Sequence, residues 1–299
     1  MQTGQNNIFT GCRQLQLTDN DNNISFPVLV QYPTYTPAVP TGFGPYQMEV
    51  SMNADIIPGQ QFPLVVISHG NNGSHLLYRT ISTYLAKNGF IVAMPEHYGN
   101  NRNNTSLENT VENLQLRPRH VSLTIDHLLT APFLSGAADA NKIAVIGHSM
   151  GGYTALALAG GRPITKEGEH VEVPHDNRVK AIVLMAPGAG WFNHPDNHIS
   201  CPVLLLTAEH DNITPGWNAQ VVQKIATDPS LVSFTEVKNA GHFAFISPFP
   251  AAMTNPGFPP SSDPAGFDRV AFHQQLPIDI LDFLTAKLNV GARSAAIPG

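Results

Sequence analysis

The sequence predicts an α/β fold: a mainly parallel central sheet with helices on both faces and a short antiparallel section near the N-terminus. Three observations carry this. Short continuous apolar runs recur, among them residues 63–68 (PLVVIS), 90–94 (FIVAM), 180–185 (KAIVLM) and 202–207 (PVLLLT). Runs without polar alternation fit strands buried on both faces, the pattern of a parallel sheet. Helical stretches separate them, and parallel strands need such crossovers. Finally, residues 142–146, then Gly147-His148-Ser149-Met150-Gly151-Gly152, then residues 153–160 (YTALALAG) read as strand, sharp turn and buried helix.

Taken in order, residues 13–17, 26–32 and 47–51 form the antiparallel section, with a Pro/Thr-rich loop expected from 33 to 45. The strand at 63–68 is followed by a helix from about 76 to 87 and the strand at 90–94. A second helix is expected over 119–130, where Val121, Ile125, Leu128 and Leu129 share one face. After the strand–turn–helix at 142–160 come the strands at 180–185 and 202–207. A helix from about 215 to 227 begins with Pro215, a residue suited to a first turn. Residues 231–237 are the last strand and 272–288 the closing helix. With no internal repeat and no dividing linker, residues 1–299 read as a single domain, its core at about 11–288 and its tails loose.

Composition excludes several function classes. Hydrophobic residues make up 42%, enough for a sizeable core, yet no apolar run reaches the ~18 residues of a membrane span. The net charge is −6 and no basic run occurs, which argues against a nucleic-acid partner. Charged residues total only 13%, with Asn, Gly and Pro taking their place, a balance that leans towards a secreted or periplasmic protein. The opening Met1-Gln2-Thr3-Gly4 has neither the basic nor the apolar region of a signal peptide, so a mature form or a cytoplasmic protein is expected. Cys12 and Cys201 are too few for a disulfide framework and lack metal-site spacing. His194 and His198 stand four apart, but Pro195 and Asn197 argue for a loop rather than a metal-binding helix face, and no metal or cofactor is expected.

The chemistry centres on Ser149. Gly147-His148-Ser149-Met150-Gly151 fits G-x-S-x-G, and a serine on a strained strand-to-helix turn needs small neighbours because strand and helix pack closely there. Its hydroxyl projects at a helix N-terminus, where backbone N–H groups can hold an oxyanion. In an open α/β sheet, catalytic groups collect past the carboxyl ends of strands, and the partners of such a serine follow it as an acid and then a histidine. Asp211, just past the strand at 202–207, is the expected acid, with Glu209 a competitor on the same loop and helix capping its alternative role. His242, after a Gly turn past the last strand, is the expected base among 13 histidines. His273 lies inside the closing helix, where packing or capping is expected. The Met150 N–H and the Asn71 N–H, in Ser68-His69-Gly70-Asn71-Asn72-Gly73, are the expected oxyanion donors, with His69 bracing that loop. Asn72, His75, His148, Trp191 and Phe243 are expected to contact substrate, although Trp191 also reads as a partly buried surface aromatic. Glu96-His97-Tyr98 lines the pocket or pairs with Arg102.

Beyond these residues, the chain resembles the bacterial predicted dienelactone hydrolases related to platelet-activating-factor acetylhydrolase, within the α/β-hydrolase superfamily. The matching pieces are residues 59–73 (GQQFPLVVISHGNNG), 84–94 (YLAKNGFIVAM), Arg117-Pro118, 141–152, 240–248 (AGHFAFISP) and Phe267-Asp268-Arg269 with Ala271-Phe272-His273. The resemblance implies an α/β-hydrolase fold and a serine esterase with Ser149, Asp211 and His242 as triad. His120 stands where the family often has Asp, and Phe249 where Cys is common. Dienelactone hydrolases in the strict sense use a cysteine nucleophile, which Ser149 argues against. Cutinases and polyester hydrolases share G-H-S-M-G-G and are the neighbouring reading, beside a platelet-activating-factor-type phospholipid deacylase. The expectation is hydrolysis of a small-molecule or polymeric ester with short to medium acyl groups. Acyl transfer to a non-water acceptor and a non-catalytic binding protein of the same fold are the alternatives.

Overall fold

In the computed structural model, which describes residues 7–291, successive residues of the central strands enter two different cores. The outer parts of the expected loose tails, 1–6 and 292–299, lie outside the described residues. Strand β7 (Ala138–His148) shows the principle: Ile143 and Val145 point into one core, Ala144 and Ile146 into the other. All four are fully buried. Side chains alternate across a strand, so a strand with helices on both sides must be apolar at every position. Each fully buried Val, Leu or Ile contributes about 1.5–3 kcal/mol.

The sheet order is β10-β9-β8-β7-β5-β6-β2-β1-β4-β3. Its parallel part runs from β6 (Ile91–Pro95) and β5 (Phe62–Ser68) through β7 to β8 (Val179–Met185), β9 (Val203–Ala208) and β10 (Val232–Val237). β2 (Ile24–Thr34) joins β6 antiparallel and pairs with β1 (Phe9–Asp19) along its whole length. Helices α2 (Val111–Thr130), α3 (Met150–Leu158) and α4 (Trp217–Ile225) contribute to one core, α1 (Arg79–Lys87) and α5 (Arg269–Lys287) to the other. The mainly parallel sheet with two helical layers agrees with the expected fold class.

Two elements differ from the sequence expectation. Within the expected loop at 33–45, Val39–Phe43 is strand β3, paired antiparallel with β4 (Tyr46–Met52). Helix α2 starts two turns earlier than predicted, capped by Thr110, whose hydroxyl accepts from the Asn113 N–H at 3.1 Å. Pro118 sits inside it and cannot donate to the carbonyl four residues back. That carbonyl, of Leu114, accepts instead from the Tyr153 hydroxyl of α3 at 3.2 Å. Strand β10, the expected last strand, forms the edge of the sheet and is largely exposed.

Strand β5 is flanked by β6 on one side and β7 on the other, so successive crossovers leave it in opposite directions. This switch point opens a crevice beyond the strand ends, between the loop after β5 and the turn after β7. The two approach so closely that no side chain fits. A Cβ on Gly151 would lie 1.9 Å from the Ser68 carbonyl oxygen, and one on Gly147 would lie 2.0 Å from that of Gly151. Both obstacles are backbone and cannot swing away. Gly151→Ala is therefore expected to lose about 3 kcal/mol or more, at or above the top of the usual overpacking range. Gly216→Ala, where the added methyl meets open space, is expected to stay within about 0.5 kcal/mol. Denaturant midpoints of the two variants check the contrast; equal midpoints would contradict it.

Candidate active site

Ser149 is the turn between β7 and α3, with φ 55° and ψ −117°. A non-glycine residue held there costs on the order of 1–3 kcal/mol and persists only where its surroundings enforce it. The Ser149 N–H donates to the Met185 carbonyl at 3.0 Å, and its own carbonyl accepts from the Gly152 and Gly188 amides at 2.8 and 2.9 Å. Fixed at both ends, the turn leaves Ser149 partly exposed while residues 143–148 and 150–159 are buried.

Asp211 and His242 meet at the ends of β9 and β10. His242 Nδ1 lies 2.8 Å from Asp211 Oδ2, and both residues are buried. The other carboxylate oxygen accepts from the Ile213 and Thr214 amides, each at 2.8 Å. Burial opposes ionisation of Asp211, but the hydrogen bonds from His242 and Thr214 outweigh it and hold the carboxyl at about 2. The ionised oxygen obliges Nδ1 of His242 to carry its proton, leaving Nε2 as the basic nitrogen. Among the described residues, neither Nε2 of His242 nor the Ser149 hydroxyl has a hydrogen-bond partner. Glu209, the competing acid, faces away: it is exposed and engages Lys238 and the Asn239 N–H.

Thr214 belongs to this cluster and was missed in the sequence. Its hydroxyl oxygen lies 2.8 Å from Asp211 Oδ2, 3.1 Å from His242 Nδ1 and 2.9 Å from the Ala186 carbonyl oxygen. Ala186 follows β8 in the left-handed region, at φ 45°. Thr214 thus ties the acid–histidine pair to the strand beside the Ser149 turn. The available signal was Asp211-Asn212-Ile213-Thr214, an acid two and three residues ahead of amides it can cap.

The loop after β5 carries Asn71 and Asn72. The Asn71 and Met150 amides have no acceptor among the described residues, as oxyanion donors require. The side chains of both asparagines accept from Asn100 Nδ2, at 2.7 and 3.0 Å, and Asn71 also donates to Glu108. Asn100 is held in turn by Arg117, whose Nη1 donates to Asn100 Oδ1 at 2.6 Å. Arg117 is fully buried, and among the described residues no carboxylate forms an ion pair with it. Its guanidinium also donates to the His69 carbonyl and to Thr154 Oγ1 at 3.3 Å. One fork therefore joins the loop bearing Asn71 to the helix that follows Ser149. Burial pulls the Arg117 pKa down to about 9 and pushes three adjacent histidines, His69, His97 and His120, well below their usual range. His69 braces the loop: its Nδ1–H donates to the Gly70 carbonyl at 2.8 Å and its Nε2 accepts from the His97 N–H at 3.0 Å.

The residues expected to contact substrate divide. Trp191 is half-buried, edge-on to Tyr153 at 5.2 Å, and packs over Gly188 beside the Ser149 carbonyl. Phe243 lies edge-on to the His242 ring at 5.1 Å, half-exposed. Asn72, at φ 50°, is half-exposed on its loop. His148 differs from expectation: it is buried with both ring nitrogens engaged inside the protein, so no face of it is left for substrate. His75 also differs. Its Nδ1 lies 3.5 Å from Glu96 Oε1, and it lines a cavity with Gln14, Leu29 and Phe43 of the antiparallel section. Glu96 thus meets His75 rather than Arg102, and His97 is buried rather than lining a pocket. His273 packs as expected, bridging Thr80 Oγ1 and the Ala244 carbonyl at 2.8 and 2.9 Å. His194 sits in a loop, 2.6 Å from the Arg162 carbonyl.

Comparisons with known proteins agree with this architecture. A family model described as platelet-activating factor acetylhydrolase, isoform II, matches residues 31–120, which hold the Asn71 loop and Arg117 but end before Ser149. Cutinase est2 of Thermobifida alba is 27% identical over 184 residues, covering 60% of this chain and 52% of that protein. Platelet-activating factor acetylhydrolase of Bos taurus is 29% identical over 157 residues, 38% of this chain and 35% of that protein. The chain thus spans about half the length of the cutinase and a third of the acetylhydrolase. The solved structure of a ferulic acid esterase from Streptomyces cinnamoneus superposes with a TM-score of 0.73 at 21% identity, covering 98% of this chain and 94% of that one. The chain has the α/β-hydrolase fold, and the relatives it resembles in sequence are named as cutinases and platelet-activating factor acetylhydrolases.

Proposed function

We propose that the chain is a serine esterase that hydrolyses carboxylic esters through an acyl-enzyme, and that residues 1–299 act as one catalytic domain. The observation that carries this reading is the buried Asp211–His242 pair at 2.8 Å, whose histidine ring lies 4.9 Å from that of His148, the residue before the strained, partly exposed Ser149. His242 Nε2 takes the Ser149 proton as Oγ attacks the ester carbonyl. The tetrahedral oxyanion sits on the Asn71 and Met150 amides, and Asp211 stabilises the imidazolium. The oxyanion then collapses, the alkoxide leaves with the proton from His242, and the acyl group remains on Ser149. Water repeats the sequence and frees the acid.

The half-buried Trp191 and half-exposed Phe243 support an acyl site of short to medium length. A polyester or phospholipid ester is the second reading. It is favoured by Ile213 and Trp217, 54% and 49% exposed, on the segment that follows Asp211. Large exposed apolar side chains beside a site suit a substrate presented on a polymer or lipid surface.

Ser149→Ala is expected to lower kcat by about 10⁶, the loss seen on removing the nucleophile of a comparable triad. Asp211→Asn keeps the shape but favours the wrong imidazole tautomer, and about 10⁴ is expected from the equivalent change elsewhere. Steady-state kinetics on folded variants reads both; turnover retained by Ser149→Ala would end the esterase reading. Fluorophosphonate labelling separates it from a non-catalytic binding protein, which would leave Ser149 unlabelled. A nitrophenyl ester series is expected to peak at short to medium acyl chains, whereas a rise towards long chains would favour the lipid reading.

A further inference from the structure

His148 is the last residue of β7, directly before Ser149, and its burial poses a question that substrate contact does not answer. Its ring lies 4.9 Å from that of His242, with Tyr78 on its other side at 6.0 Å. Nε2 of His148 is 3.0 Å from the His242 carbonyl oxygen, and Nδ1 is 3.0 Å from the Tyr78 hydroxyl. The same hydroxyl oxygen is 3.2 Å from the Gly70 amide nitrogen. Tyr78 and His148 are 1% and 2% exposed.

The direction of every bond in this series is forced. A carbonyl oxygen only accepts, so Nε2 of His148 carries a proton and donates to His242. Burial keeps the imidazole neutral, its pKa pulled down to about 3, which leaves Nδ1 bare. A bare Nδ1 takes the Tyr78 O–H, and burial pushes the Tyr78 pKa up, so that proton stays on. The Tyr78 oxygen then has a lone pair for the Gly70 N–H. The result runs Gly70 N–H to Tyr78, Tyr78 O–H to His148, and His148 N–H to the His242 carbonyl.

Its two ends are the two moving parts of the proposed chemistry. Gly70 immediately precedes Asn71, whose amide is the proposed oxyanion donor. The His242 carbonyl belongs to the proposed base, in a short turn of residues His242–Phe245 with no side-chain cap. Between them lies the residue next to the nucleophile. We infer that Tyr78 and His148 are positioning residues for ester hydrolysis, a directed hydrogen-bond bridge that sets the oxyanion loop and the base in register across the nucleophile turn. The inference rests on the esterase reading above. It assigns His148 to the machinery's support rather than to substrate.

Three variants and one spectrum test it. Tyr78→Phe keeps the ring and removes the hydroxyl. His148→Leu removes both bonds, and His148→Gln offers an amide that can donate to His242 and accept from Tyr78. Rates are taken per active site, counted by fluorophosphonate titration, so loss of folded protein does not register. Tyr78→Phe and His148→Leu are expected to lose about 10- to 100-fold in kcat, the scale of a sub-ångström to 1 Å misplacement, with KM within about twofold. His148→Gln is expected to recover much of that loss. A merely structural role predicts wild-type kcat per titrated site in all three, and that result would overturn the inference. Should His148→Leu not fold, the near-isosteric Tyr78→Phe decides alone. Imidazole ¹⁵N spectra of the wild type are expected to show His148 as the neutral Nε2–H tautomer; an Nδ1–H tautomer would also overturn the bridge. The spectrum does not depend on turnover, so a wild type without Ser149-dependent hydrolysis would refute the esterase reading while the bridge is still read.

Discussion

The site depends on a backbone contact. Gly151 of α3 lies so close to the Ser68 carbonyl at the end of β5 that a methyl group would come within 1.9 Å of it. That approach brings the helix start down onto the sheet, and it forces the preceding residue into the left-handed region at φ 55°. The first helical amide, Met150 N–H, then faces the crevice beside the loop after β5. The Ser149 turn, the helix N-terminus and the loop bearing Asn71 are brought together by one contact that glycine alone permits.

Around it, each neighbouring strand end contributes a fixed element. The end of β8 holds the Ser149 amide through Met185 and Thr214 through the Ala186 carbonyl. The ends of β9 and β10 supply Asp211 and His242. Behind the loop after β5, the buried guanidinium of Arg117 grips Asn100, the His69 carbonyl and Thr154, with no carboxylate paired to it among the described residues. Keeping a cation there costs solvation, and several kcal/mol per ion is typical even after relaxation. Three neutral histidines around it avoid adding further charge. The crevice is thus held from the helix side by Arg117 and from the histidine side by His148.

What the sequence disclosed follows from which constraints are local. The central strands were legible because two-sided burial demands unbroken apolar runs such as residues 63–68 and 180–185. The strained turn at Ser149 was legible because an elbow needs glycines at fixed offsets, and the meeting of Asp211 with His242 because each stands past a strand end. Strand β3 was hidden because Val39-Pro40-Thr41-Gly42 has loop composition, and it pairs only with β4 at the sheet's margin. The first two turns of α2 were hidden by Pro118, whose missing bond is made good by Tyr153, 35 residues further along. His148 and Thr214 were misread or missed for a related reason. Their roles depend on partners 94 and 28 residues away, and nothing in their immediate neighbourhood specifies those partners. Local pattern gives the Ser149 turn and the strand-end positions of Asp211 and His242; tertiary hydrogen bonding decides which polar residue supports and which faces the solvent.

The central claim is that Ser149 carries the acyl group between two half-reactions. Mass spectrometry of the protein acid-quenched within milliseconds of mixing with a nitrophenyl ester tests it most directly. The account predicts a transient mass increase equal to one acyl group, mapped to the peptide that contains Ser149, decaying as acid is released. Consumption of the ester with no adduct on that peptide, or with the acyl group on another residue, would contradict it.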